Sequence, residues 1–162
     1  GEDQPKRYWY LILTLTNNSG VPAVPFYPTC HLVTDTFQVV EAGRHYRQSV
    51  FELIKRKHQG RYPFLEPIEK MDHTILRGQD NARDVCIVWP DFDPEAKKVS
   101  FFIGGLSNET VMVPHPIEVT ETGLPKPVYL RKTLALTYAT GGDVALRSRL
   151  QMKFLDKKWV MR

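Results

Sequence analysis

With 162 residues, 42% of them apolar and 25% charged, the chain has the composition of one ordinary globular domain rather than a disordered tail, a collagen-like repeat or a coiled coil. Basic residues exceed acidic ones by 22 to 18, a net charge of +4. That excess comes without the basic-aromatic signature of a nucleic-acid module, so no nucleic acid is expected as a partner. No run reaches the roughly 18 consecutive apolar residues of a membrane helix, and two cysteines are too few for a disulfide scaffold.

The start, Gly1-Glu2-Asp3-Gln4-Pro5-Lys6, lacks the basic-then-apolar grammar of a signal segment. Residues 1–7 are expected to be a disordered or vector-derived start, and residues 8–162 a single domain. Period two then dominates. Over 8–16, Trp9, Leu11, Leu13 and Leu15 share one face and Tyr10, Ile12, Thr14 and Thr16 the other, which predicts a strand ending at the turn Asn17-Asn18-Ser19-Gly20. Three prolines in 21–28 exclude a central strand there. Residues 29–40 are rich in β-branched and aromatic side chains, as strands are.

One segment departs from period two. Ser49-Val50-Phe51-Glu52 fits a capping box, in which the Ser hydroxyl takes the third helical amide and Glu reaches back to the cap amide. Val50, Phe51, Ile54 and His58 follow at helical spacing. Lys55, Arg56 and Lys57 suit the negative end of the helix dipole, and Gly60 sits where a C-terminal cap belongs. A helix is predicted over 50–58, laid across one end or one open face of the sheets.

Residues 85–89 are apolar on both faces, which predicts a central strand. Val99, Phe101 and Ile103 alternate up to the stop at Gly104-Gly105, and 111–113 is brief. Over 128–138, Val128, Leu130, Leu134, Leu136 and Tyr138 share a face that only Lys132 interrupts. Residues 150–155 and 159–161 flank Asp156-Lys157-Lys158 and read as a terminal hairpin. Seven to nine short strands with one inserted helix imply a mainly β chain folded as a sandwich or partly open barrel.

The residues that carry chemistry are sparse. His31, His45, His58, His73 and His115 show no pair at metal-ligand spacing, and no cofactor is expected. Asp91, Asp93 and Glu95 place three carboxylates in five residues, a weak candidate for a hard cation; a turn begun at Asp93-Pro94 and neutralised by Lys97-Lys98 explains the same residues. No G-x-S-x-G elbow or other assembled nucleophile and base is present, so no enzymatic activity is expected. Arg147, Arg149, Lys153, Lys157 and Lys158 form a basic group. Alternation of Arg147, Arg149, Gln151 and Lys153 along a strand would line one face for a glycan or another polyanion; a plainly solvated strand face is the competing reading. Trp9 is expected in the core, with Tyr8 and Tyr10 on the opposite face. Asn17-Asn18-Ser19 and Asn108-Glu109-Thr110 are glycosylation sequons that also read as turns. Cys30 and Cys86 lie in apolar strand patterns and are expected to be buried and reduced, ahead of a disulfide between them.

Leu13-Thr14-Leu15-Thr16-Asn17-Asn18-Ser19-Gly20 resembles the opening strand and turn of the immunoglobulin-like, often called telokin-like, domains of bacterial extracytoplasmic proteins. Val99-Ser100-Phe101-Phe102-Ile103-Gly104-Gly105-Leu106-Ser107-Asn108 is similar to their hairpin segments. The likeness, one of strand pattern over most of the chain, extends to an uncharacterised family of bacterial secreted proteins. It implies an immunoglobulin-like sandwich in the periplasm or at the cell surface. The expected role is non-catalytic, structural or through contact with a protein partner, and no functional residues can be carried over.

Overall fold

The computed structural model describes residues 6–43, 46–141 and 144–162, with backbone alone at 146 and 148. The chain is mainly β, with eleven strands among the described residues. A small sheet has the order β1 (Tyr8–Leu15), β7 (Arg83–Pro90), β5 (Glu66–Pro67). A large sheet has the order β11 (Lys153–Met161), β10 (Pro125–Ala139), β8 (Lys98–Gly104), β3 (Thr29–Thr34), β4 (Val39–Glu41), with β9 (Thr110–Val119) also paired to β10. A separate ribbon joins β2 (Ala23–Pro25) to β6 (Thr74–Leu76).

The two sheets meet across one core. Leu15, Val85, Ile87 and Trp89 of the small sheet pack with Leu32, Val99, Phe101, Ile103, Leu134 and Leu136 of the large one. Full burial of side chains such as Leu32, Ile87 and Ile103 contributes about 1.5–3 kcal/mol apiece. The opposite face of the small sheet carries a second cluster. There Cys86 and Val88 pack with Phe51, Ile54 and Leu65, and Tyr8, Tyr10 and Ile12 close the edges. The helix α1 (Gln48–His58) supplies that cover, so the molecule is layered helix, small sheet, large sheet. This explains why β1 and β7 are apolar on both faces: each is covered on both sides, and β7 also has a strand on each edge.

The two cysteines therefore face different layers. Cys30 lies in the inter-sheet core and Cys86 beneath the helix, and both thiols are free and buried. Burial first, and then the negative charge of Glu69, pushes each thiol up to about 12.

Several local expectations need correction. The capping box does not form. The helix starts at Gln48, so Ser49 already has helical backbone; Arg47 precedes it without a side-chain cap, and Glu52 accepts from Gln48 Nε2 at 3.0 Å instead. Gly60 is no left-handed cap either, because the chain turns through the amides of Arg61 and Tyr62 onto the His58 carbonyl. The terminal hairpin is one continuous strand, β11, antiparallel to β10 along its length. Its Asp156-Lys157-Lys158 segment lies in register with 135–137, where edge pairing outweighs weak strand propensity. Residues 144–149 form a 3-10 turn, so Arg147 and Arg149 do not alternate along a strand. Strand β9 runs well past 113, through Pro114 and Pro116, because it is an outer strand whose second edge needs no donors. Its hairpin with β10 turns at 120–124, where Gly123 takes φ +78°. Of the expected disordered start, residues 1–5 lie outside the described residues. Arg7 is tied into the fold by an ion pair with Asp91 at 3.2 Å.

Candidate functional site

The acidic turn is occupied by protein groups. Asp91 accepts from Trp9 Nε1 at 2.7 Å, from Arg7 and from its neighbour's amide, and Asp93 accepts from Thr36 and the Glu95 amide. Those donors hold the Asp93 carboxyl below its ordinary range, the Thr36 hydroxyl first among them. Among the described residues no group of three or more His, Cys, Asp and Glu is arranged to hold a metal ion. Asp91 is paired with Arg7 and Arg147, and among the described residues neither Lys97 nor Lys98 forms an ion pair with the turn.

Arg147 is the centre of that arrangement and is 5% exposed. Its guanidinium donates to the carbonyls of Phe92 and Asp93 at 3.0 and 3.2 Å and to Asp91 at 3.3 Å, and it lies against the paired rings of Phe92 and Trp9, 4.3 and 5.6 Å from their centroids. The basic group expected to act together is thus dispersed. Arg147 locks a turn, Arg149 lies exposed on the 3-10 turn, and Lys157 and Lys158 point to opposite faces of β11 because successive strand residues do. The first sequon is structural: Asn17 is buried and donates to the Val21 and Ile75 carbonyls while accepting from Ser19.

What the sequence does not reveal is an open side. In the small sheet β1 has a partner only at β7, and among the described residues no strand covers its other edge. The large sheet continues past it. Trp159, Lys157 and Phe154 of β11 stand opposite Leu134, Leu136 and Tyr138, so they share the inward face, yet Trp159 and Phe154 are 46% and 53% exposed. A cleft of about 540 Å³ runs along residues 13–19 of the first strand and its turn, walled by Leu134, Lys157 and Trp159. A second of about 490 Å³ follows residues 7–11, walled by Phe101, Tyr138 and Met152, with Lys57 at its rim. Consecutive residues of one strand line each cleft, so the backbone edge itself forms the floor. Residues 8–13 of this edge, Tyr8-Trp9-Tyr10-Leu11-Ile12-Leu13, carry none of the charges or prolines that usually blunt an exposed edge.

Period two marks β1 as a strand, but whether an apolar strand is central or at an edge is settled by its neighbours. The lone signal in the sequence was the aromatic and aliphatic content of β11 amid its lysines. Comparison with protein-family models, with curated proteins and with solved structures finds no match.

Proposed function

We propose that the chain is a non-catalytic, immunoglobulin-like binding module that takes up an extended polypeptide segment as a fourth strand of its small sheet. One observation carries the reading: the large sheet overhangs the small one, leaving the β1 edge and the inward side chains of β11 uncovered together. A strand added to β1 would pair with the backbone of residues 9–15 for affinity and use the two clefts for its alternate side chains, as strand addition does elsewhere. Its face toward the large sheet would meet Trp159, Lys157 and Phe154 in turn, so the segment that fits is apolar, acidic, apolar at every second residue. Lys57 at the second cleft adds to the preference for acidic sequence. A second copy of the chain fits less well, because β1-to-β1 pairing would bring two overhanging β11 strands into one space. The immunoglobulin-like assignment and a periplasmic or cell-surface location rest on the sequence resemblance, and the two packed sheets are compatible with the former.

The test is calorimetric titration with a synthetic nine-residue peptide of alternating pattern carrying Glu between two apolar residues. Binding near 1 μM corresponds to about −8 kcal/mol, within reach of several ladder hydrogen bonds at roughly 0.5–1.5 kcal/mol each plus apolar burial. Lys157→Glu should weaken it about tenfold, and a peptide with Lys in place of Glu should restore it. Absence of binding by every alternating peptide, with amide exchange along β1 unchanged, refutes the proposal.

A further inference from the structure

The outer face of the large sheet holds a second feature, unrelated to the open side. Thr29 of β3 stands in register with Gly104 of β8, and Thr133 of β10 flanks the glycine from the other side. A Cβ at Gly104 would strike Thr29 Oγ1, so the Thr29 hydroxyl leans over the bare glycine, and a pit in the sheet surface opens beside them. The pit measures about 180 Å³, and Arg131, Arg162, His31 and Phe102 form its rim. That is below the roughly 300 Å³ at which drug-sized ligands begin, so its occupant is a single small group.

The rim is strongly cationic and its charge is unspent. Arg162 lies over the Phe102 ring, its guanidinium carbon 3.9 Å from the centroid, and its backbone pairs both ways with Arg131 at 2.9 and 3.0 Å, which sets the two side chains on adjacent strands. Among the described residues no carboxylate lies within 4.0 Å of either guanidinium, whereas Arg7, Arg83 and Arg147 each have one. Thr29 Oγ1 has no hydrogen-bond partner there either. Thr133 spends its proton on the Arg131 carbonyl at 3.0 Å and so helps fix that backbone rather than serve as a donor. Of the acidic residues on neighbouring strands, Glu109 is paired with Lys132 at 2.9 Å, and Glu41 of β4 stands in register with His31.

We infer that this pit binds a tetrahedral oxyanion, a phosphate or sulfate group, with Arg131 and Arg162 as charge-bearing donors and Thr29 and His31 as further donors. Guanidinium forks approaching from two strands, with a hydroxyl rising from the floor, present donors in several planes. That suits four tetrahedrally placed oxygens better than the two coplanar ones of a carboxylate.

The experiment is an NMR titration of the whole chain, following the amides of 29–31, 102–104 and 131–133 and the arginine Nε–H signals. The probes are sodium phosphate, sodium sulfate, sodium acetate and a sulfated disaccharide, each against sodium chloride at equal ionic strength. Saturable shifts confined to these residues are expected with phosphate and sulfate, and weaker ones with acetate. Saturation by the sulfated disaccharide alone would still support the site and show that the group arrives on a glycan. Gly104→Ala, whose methyl would displace the Thr29 hydroxyl without changing charge, should weaken binding about tenfold, as should Arg131→Gln, while Lys157→Glu should leave it unchanged. Arg162→Gln, an exposed position, carries the test should Gly104→Ala fail to fold. Shifts that do not saturate, that match those in chloride, or that survive both Gly104→Ala and Arg162→Gln overturn the inference.

Discussion

Replacing Arg147 by Ala separates its two readings, surface cation and internal brace. As an internal brace it should be costly to remove. The substitution strips the buried Phe92 carbonyl of its donor, worth about 1–3 kcal/mol, and removes stacking at 4.3 Å from Phe92 and 5.6 Å from Trp9, worth roughly 0.5–2 kcal/mol. The ion pair with Asp91 adds little, because that carboxylate is 36% exposed and keeps Arg7 and Trp9 as partners. The total is about 3 kcal/mol, which for a domain of this size lowers Tm by roughly 6–12 °C. Urea unfolding should show the same loss as a lower midpoint at unchanged slope. Lys at 147 should recover little, since an ammonium cannot reach two carbonyls and a carboxylate in one plane. Ala at the exposed Arg149 should stay within about 0.5 kcal/mol of the parent. An Arg147→Ala protein that melts within about a degree of the parent, yet loses retention on heparin, would refute the brace and reinstate the surface cation.

Three further outcomes follow from the packing. Thiol titration without reductant should find two free thiols in denaturant and almost none in the folded protein at pH 8, because both thiols are buried and pushed up to about 12; zero thiols in denaturant would mean a bridge. Phe51→Ala should cost about 3–5 kcal/mol in chemical unfolding, while Leu53→Glu, two residues along on the solvent side of the same helix, should cost under about 0.5; equal effects would place the helix on the wrong face. Asp93 has a folded-state pKa below its unfolded value, so its contribution is present above the ordinary carboxylate range and is lost as pH falls through the folded value. Thr36→Val should raise the Asp93 pKa in a carboxyl-carbon NMR titration and move this acid-side loss to higher pH; an unmoved titration would remove Thr36 as the cause.

Local chemistry determined much of the fold. Alternation over 8–16 placed Trp9, Leu11, Leu13 and Leu15 against the core and Tyr8 and Tyr10 opposite, because strand side chains point to alternate faces whatever lies beyond. The two-faced run at 85–89 announced a covered strand, and the helical spacing of Phe51 and Ile54 announced the helix that covers it. The Gly104-Gly105 stop was legible too: Gly105 takes φ +94°, and a side chain there would meet the Tyr27 carbonyl.

Tertiary structure decided the rest wherever the same residues suit two environments. Ser49 and Glu52 have capping-box spacing, but the helix begins one residue earlier, where Gln48 donates to Glu52 and accepts from Lys70. The strand at 111–113 reads as brief, yet as an outer strand it runs on through Pro114 and Pro116. Arg147 reads as a solvated cation, and only the fold brings the carbonyls of residues 92 and 93, fifty-odd positions away, around its guanidinium. Both candidate sites belong to this second class. Among the described residues the small sheet ends at β1, and the pit on the large sheet gathers side chains from β3, β8 and β10 together with Arg162. Pattern along one strand fixes which face a residue takes; which strand lies beside it, or fails to, is a property of long-range pairing that no single segment encodes.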